Sequence, residues 1–111
     1  MQYMFLIYGD ERGEANGSSD RLAEYGAFSQ LVNEKGIIRG ASRLRPTDAA
    51  TTVRVRNGAA QTTDGPFAET KEQLGGYYIL DCKDLDEALS YAAKIPSAKD
   101  GSVEVRPVWE M

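Results

Sequence analysis

Asp64 is the side chain of this sequence best placed for acid/base chemistry. It begins the turn Asp64-Gly65-Pro66, in which glycine and proline fix the backbone and can hold a carboxylate rigidly over a cavity. A structural role is the alternative, with Asp64 forming the turn and capping the residues that follow it. The sequence favours the structural role but keeps Asp64 as the catalytic candidate.

Other polar side chains are candidates for contact with a small molecule. Tyr8 and Tyr78 carry hydroxyls that can point into a pocket, although tyrosines in apolar runs more often fill a core. Lys71 follows the turn in a segment of mixed charge, which more often forms a solvated face with weak ion pairs. The predicted substrate-binding residues are Tyr8, Lys71, Tyr78, Glu104 and Arg106.

Arginine is concentrated in two segments that we predict to be central strands. These residues are Arg39, Arg43, Arg45, Arg54 and Arg56. A guanidinium group binds carboxylate or phosphate through two parallel hydrogen bonds, so the cluster is a candidate anion site. Protection of strand edges against aggregation is the alternative, and the sequence favours it.

Metal and thiol chemistry are not predicted. The chain has no histidine and one cysteine, which excludes zinc and haem sites of the usual kinds. Cys82 follows Asp81 and has no basic neighbour in the sequence to lower its pKa, so it is predicted to be a small buried residue. Asp10, Glu11 and Glu14 lack the ligand spacing of a magnesium or calcium site. We predict no metal or other cofactor.

Length and composition predict one soluble domain spanning residues 1–111. The chain is 41% hydrophobic and 27% charged, as in ordinary globular proteins. A single cysteine suits a reducing cytoplasm, and a formal net charge of −4 gives no attraction to nucleic acid or anionic lipid. The apolar opening lacks a basic leader and is short, so neither a signal peptide nor a membrane span is predicted.

The first half of the chain reads as strand, loop, helix and strands. Residues 2–8 form an apolar run typical of a buried strand, and residues 9–19 form a glycine-containing loop. Ser18-Ser19-Asp20 predicts the start of a helix that ends at Gly36. Strands follow over residues 37–45 and 51–56, and Asn57-Gly58 predicts a hairpin that returns through residues 59–63.

The second half repeats the alternation. Residues 68–74 are predicted to form a turn or two of helix that Gly75-Gly76 ends, and residues 77–82 to form a strand. Asp84 begins a second main helix with the geometry of a capping box, and residues 102–109 close the chain as a strand. The predicted apolar stripe of that helix is Leu85, Ala88, Leu89, Ala92 and Ile95. The order indicates an α+β, ferredoxin-like βαββαβ fold with an added β-hairpin.

The first strand is apolar on both faces. Tyr3, Phe5 and Ile7 lie on one face, and Met4, Leu6 and Tyr8 lie on the other. Two helices can cover only one face of a four-stranded sheet, and soluble monomers rarely expose a large apolar patch. We therefore predict a homodimer in which two sheets face each other. Glu104 and Arg106 would then line a polar cavity between the sheets.

The segment from Thr63 to Glu72, T-D-G-P-F-A-E-T-K-E, resembles the signature of the DGPF branch of the YCII-related family. The resemblance runs nearly end to end, through L-I-Y-G-D at 6–10, T-V-R-V-R at 52–56, Q-L-G-G-Y-Y at 73–78 and S-V-E-V-R-P at 102–107. It implies a ferredoxin-like fold that pairs as a dimeric α/β barrel, in agreement with the two apolar faces of the first strand.

The resemblance implies less about activity. In the wider family a histidine and an aspartate form an active site, and one relative is a dehydrochlorinase acting on a chlorinated hydroxyquinol. Since this chain has no histidine, Asp64 would have to act with a tyrosine, an arginine or water. Similar proteins are encoded beside, or fused to, extracytoplasmic-function sigma factors, which implies a regulatory role.

Two functional hypotheses result. The first is a cofactor-free enzyme for a small aromatic or anionic molecule, with Asp64 as general acid/base and Arg106 as the orienting charge. The second is a non-catalytic dimer that binds a metabolite or a sigma-factor-like protein. The missing histidine favours the second hypothesis.

Overall fold

The computed structural model describes residues 1–13 and 18–110. The elements are β1 (Gln2–Gly9), α1 (Ser19–Glu34), β2 (Ile38–Arg43), β3 (Thr51–Arg56), β4 (Ala59–Asp64), β5 (Gln73–Asp81), α2 (Leu85–Ala92) and β6 (Ser102–Pro107), with 3-10 turns at Thr47–Ala49 and Pro96–Lys99. The loop predicted over residues 9–19 lies partly outside the described residues, and Glu14 is among those omitted. The predicted order of the strands and the two main helices is confirmed.

The main sheet has the strand order β2-β5-β1-β6, with every neighbouring pair antiparallel. Both helices pack on one face of this sheet and enclose the core with it. The buried apolar residues are Tyr3, Phe5, Ile7, Phe28, Val32, Tyr78, Leu80, Cys82, Ala88, Ala92 and Ile95. This arrangement confirms the ferredoxin-like α+β fold.

Local signals set the helix ends as the sequence predicts. Ser18 Oγ accepts a hydrogen bond of 3.1 Å from the Arg21 amide, and Gly36 has a φ of +70°, a left-handed conformation that suits glycine. Asp84 accepts a hydrogen bond of 2.9 Å from the Glu87 amide at the start of α2. The N-termini of both helices are therefore capped by neighbouring side chains.

The apolar stripe of α2 is narrower than predicted. Ala88 and Ala92 are buried, whereas Leu85 and Leu89 are about half exposed. The residues in contact with the sheet are small, so the larger leucines lie on the flanks of the contact. The core on this side consists mainly of small side chains from the helix and large ones from the strands.

The helix predicted over residues 68–74 is wrong. The Gln73 side-chain amide donates to the carbonyls of Ala68 (3.1 Å) and Thr70 (3.3 Å), and Thr70 Oγ1 donates to the Glu72 carbonyl. These side chains occupy carbonyl groups that a helix would pair with backbone amides. The segment is an irregular loop, and Gly75 and Gly76 belong to β5 instead of ending a helix.

The predicted hairpin is confirmed, but the arginines do not lie on central strands. Asn57 and Gly58 both have positive φ, 53° and 76°, as a type I′ hairpin turn requires. β3 and β4 pair only with each other, and β2 is an edge strand of the main sheet. The prediction that the arginines lie on central strands failed because the strand order joins distant segments and cannot be read from local patterns.

Candidate functional site: a cavity between the first helix and the sheet

A cavity of about 340 Å³ lies between α1 and the end of the main sheet. We call it the α1 cavity. Its lining residues are Ile7, Gly9, Glu11, Arg21, Leu22, Tyr25, Ala41, Ser42, Arg43, Gln73, Gly75, Gly76, Tyr77, Tyr78 and Ser97. Arg21 and Tyr25 are four residues apart, so the helical repeat places both on the side of α1 that faces this space.

Glycine forms the floor of the α1 cavity. Arg43, Gly76 and Ile7 are aligned across β2, β5 and β1, so they share one face of the sheet. Gly76 contributes no side chain to this row, and a methyl group there would lie 2.7 Å from the Ser42 carbonyl oxygen. The neighbouring Gly75 is the extra residue of a β-bulge, a feature frequent beside functional sites. The missing side chain opens the space beside Ile7.

Two pairs of hydroxyl groups line or adjoin the cavity. The Tyr78 and Ser29 hydroxyls lie 2.7 Å apart, and the Tyr25 hydroxyl donates to Ser97 Oγ at 2.7 Å. Burial raises the pKa of Tyr78, and the contact with Ser29 opposes that effect only in part. Tyr78 therefore remains a neutral phenol at neutral pH and can both donate and accept a hydrogen bond.

Arg21 ties α1 to the turn before β6. Its guanidinium group donates to Asp100 at 2.7 and 3.2 Å and to Ser97 at 3.1 Å. The hydrogen bonds between the two side chains raise the pKa of Arg21 and lower the pKa of Asp100. Arg21 Nε is buried and has no hydrogen-bond partner in the described part of the chain. The charge of Arg21 is thus already matched by a carboxylate.

Arg43 differs from Arg21 in its partners. Within residues 1–13 and 18–110, its guanidinium group makes no hydrogen bond or ion pair, although it lines the cavity at the edge strand β2. Glu11, which also lines the cavity, accepts hydrogen bonds from the Thr47 amide at 2.9 Å and the Thr47 hydroxyl at 2.7 Å. Among the described residues that line the cavity, Arg43 is the cation without a carboxylate partner.

The predicted substrate-binding residues are dispersed. Tyr78 lines the α1 cavity. Tyr8 lies past the bulge, opposite Leu74 and Ser102. Lys71 borders a separate hollow beside the loop that follows β4.

Glu104 and Arg106 lie on the face of the sheet away from the helices. The register aligns them with Leu6 and Met4, as predicted, and Arg106 Nε donates to Glu104 at 2.8 Å. The pair is therefore separated from the α1 cavity by the sheet.

Asp64 lies at the base of the hairpin. It is exposed, pairs with Thr51 in the β3–β4 ladder, and its carboxylate makes no hydrogen bond to the residues that the structure describes. The turn is held by backbone groups instead, since the Gly65 amide donates to the Ala50 carbonyl (2.7 Å) and Thr52 Oγ1 donates to the Gly65 carbonyl (2.8 Å). Within one chain, Asp64 does not line the α1 cavity.

The sequence interpretation missed Arg21, Tyr25 and Ser97 as site residues. The four-residue spacing of Arg21 and Tyr25 within the predicted first helix was the available signal. Ser97 had no signal, because its contacts with α1 join residues 72 and 76 positions apart.

Two kinds of feature are absent from the described part of the chain. Residues 1–13 and 18–110 contain no group of three or more Cys, Asp or Glu side chains arranged to hold a metal ion. No helix in the same ranges is long and apolar enough to cross a membrane.

Known proteins share this sequence and architecture. The YCII-related domain matches residues 1–111. An uncharacterized protein from Rhizobium meliloti (strain 1021) is 41% identical over 114 residues, which cover 97% of this chain and 92% of that protein. Both similarities extend over essentially the whole sequence.

A solved structure shares the fold. It is the 5-chloro-2-hydroxyhydroquinone dehydrochlorinase TftG from Burkholderia phenoliruptrix AC1100, in complex with 2,5-dihydroxybenzoquinone. The TM-score is 0.57 at 18% identity, with 99% of this chain and 94% of that chain covered. From the match over its full length and the 41% identical relative, this chain belongs to the YCII-related family.

Proposed function

We propose that this protein binds a small aromatic molecule in the α1 cavity. The observation that carries the proposal is the combination of two aromatic side chains, Tyr25 and Tyr78, with a glycine floor at Gly76. A volume of about 340 Å³ lies at the lower end of the range of roughly 300–1,000 Å³ for small-molecule sites. The small ligand in the TftG complex supports the same class of function.

The hydroxyl groups give the cavity its polar contacts. Tyr25 is oriented by Ser97, and Tyr78 by Ser29, so each phenol presents its remaining hydrogen-bonding capacity in a fixed direction. Such a site favours a ring that bears oxygen substituents, because these pair with fixed hydroxyls while the ring lies against aromatic side chains.

Recognition without catalysis needs only this cavity. In this form the protein is a regulatory dimer that responds to a metabolite and acts beside a sigma-factor-like protein. Acid/base catalysis by Asp64 is the alternative, and it requires the carboxylate to reach the cavity of a partner copy, because Asp64 lies at the hairpin base in its own chain.

We also propose a homodimer formed through the open faces of the main sheets. Met4, Leu6, Tyr77 and Ile79 are apolar and only partly buried on this face. A second copy would cover them and would enclose Glu104 and Arg106 between the sheets.

The test is a thermal-shift screen of single-ring hydroxy- and carboxy-aromatic compounds against the wild type and two matched variants. Leu22 and Leu89 are both 48% exposed on helices, but only Leu22 lines the cavity. Leu22→Trp fills the opening, so we expect it to abolish the ligand-induced rise in Tm, while Leu89→Trp preserves it. A rise that survives in Leu22→Trp would place the ligand elsewhere.

A separate variant decides the role of Asp64. Since recognition needs only the cavity, we expect Asp64→Asn to leave the ligand-induced shift unchanged. The catalytic alternative gains support if a compound from the screen is converted by the wild type and this conversion is lost in Asp64→Asn.

A further inference from the structure

The charges around the α1 cavity are unequally satisfied. Arg21 donates to Asp100 and Ser97, and both carboxylate oxygens of Glu11 accept hydrogen bonds from Thr47. Arg43 has neither kind of partner among residues 1–13 and 18–110. One cationic group therefore faces the cavity without an internal anion.

The position of Arg43 directs this charge to the ligand space. In the register of β2 and β5, Arg43 lies opposite Gly76, so the row of side chains is interrupted directly beside it. The gap removes the steric barrier between the guanidinium group and the space next to Ile7. A planar ligand lying over Gly76 would bring a ring substituent toward Arg43.

Arg39, on the same edge strand, has the contacts expected of an arginine that protects a strand edge. Arg39 donates to the carbonyls of Gly36 (2.9 Å) and Ile38 (3.2 Å) and pairs with Asp81 at 3.3 Å. Its hydrogen-bonding groups are used within the protein, and it lines none of the cavities described above. Arg43 lacks such contacts and borders a cavity, so edge protection does not account for its position.

We propose that the ligand of the α1 cavity is an aromatic carboxylate whose carboxylate group is bound by Arg43. This inference rests on the proposed function and adds the charge of the ligand. The planar guanidinium group offers parallel N–H donors that match the two carboxylate oxygens. The ring lies beside Tyr25 and Tyr78, and the fixed tyrosine hydroxyls bind its remaining polar substituents.

The test compares benzoate with benzamide, which has nearly the same shape and no charge. Binding of each is measured by isothermal titration calorimetry to the wild type, Arg43→Gln, Arg43→Lys and Arg56→Gln. Arg56 lies at the hairpin tip and, among the described residues, donates only to the Val55 carbonyl, so its removal changes the net charge of the protein equally without touching the cavity.

We expect the wild type to bind benzoate roughly tenfold more tightly than benzamide, the difference typical of a hydrogen bond to a charged group. Arg43→Gln should lose this preference, Arg43→Lys should retain part of it, and Arg56→Gln should keep it in full. Each of these results supports the assignment, because the charge must be at residue 43 and not merely on the protein surface.

Three results would overturn the assignment. They are equal affinity for the two probes, an undiminished preference in Arg43→Gln, or an equal loss in Arg56→Gln. In all three the probes still bind, so a small-molecule function stands. If neither probe binds, the inference is also overturned, and the Leu22→Trp screen then decides the proposed function independently.

Discussion

The two faces of β1 have similar composition and different surroundings. Tyr3, Phe5 and Ile7 are 4%, 0% and 8% exposed beneath the helices, whereas Met4 and Leu6 are only partly buried on the other face. Hydrophobicity alone does not separate these two sets of residues. The helix-covered face is completed by the chain itself, and the open face has the composition of a surface that another molecule covers.

The largest expected effect breaks the helix-covered face. Phe5→Ala removes a fully buried ring and leaves a cavity, so we expect the free energy of unfolding to fall by about 3–5 kcal/mol. Urea denaturation followed by circular dichroism measures this change. A loss below about 1 kcal/mol would mean that the core repacks around the missing ring.

The second prediction breaks the open face. Leu6→Glu places a charge where two sheets are proposed to meet, so we expect dimer affinity to fall on the order of 100-fold while the chain stays folded. Light scattering across protein concentrations measures the mass. Leu85→Glu, on the outer side of α2, is the control and should leave the mass unchanged. A wild type that is monomeric at micromolar concentration would refute the proposed dimer.

A smaller effect tests how the helix layer is secured on the covered face. Asp84 caps α2, and Asp84→Ala removes the acceptor for the Glu87 amide. We expect a loss of about 1 kcal/mol in the free energy of unfolding. Asp86→Ala is the matched control, since Asp86 lies in the same first turn and caps nothing. Equal losses in the two variants would assign the effect to helix charge instead of capping.

The smallest effect concerns an ion pair at the margin of the open face. Asp81 accepts a hydrogen bond of 2.9 Å from the amino terminus. This contact is the main reason that the pKa of Asp81 is lowered from its usual 3.8. The same contact raises the pKa of the amino terminus above 8.0. The Asp81 contribution to stability is present above about pH 4 and lost as the pH falls through the folded-state pKa. The amino-terminal contribution is present below pH 8 and lost as the pH rises through its folded-state pKa.

Denaturation of the wild type and Asp81→Asn across this pH range tests the ionic contacts of Asp81, which include its pair with Arg39 as well as the one with the amino terminus. We expect the difference in free energy of unfolding between the two proteins to be greatest between about pH 4 and about pH 8 and to shrink at lower and higher pH. A difference independent of pH would exclude the ion pair as its source. The effect is small because both groups are exposed to solvent.

Features encoded in short segments were predictable from the sequence. Ser18, Asp84 and Asn57-Gly58 act on backbone groups within a few residues, so each could be assigned to a cap or a turn from its neighbours alone. The alternation of Glu104 and Arg106 with valines also predicted their face correctly. These features depend on contacts of short range along the chain.

The site was less predictable, because it is assembled from distant segments. Arg43, Gly76 and Ile7 become neighbours only when β2, β5 and β1 pair in one register. The helix wrongly predicted before Gly75 hid the strand that carries the cavity floor. The conspicuous motif directed attention to Asp64, although the carboxylate lies on a hairpin whose place relative to the main sheet no local pattern indicates.

The glycine floor limits how this protein can acquire new ligands. Any larger residue at position 76 would meet the Ser42 carbonyl and disturb the pairing of β2 with β5, so the floor cannot be reshaped without disrupting the sheet. Leu22 is half exposed on α1 and can change size at little cost to folding. Divergence of ligand preference among related chains should therefore proceed by substitutions in the helix, while the strand beneath it stays under purifying selection.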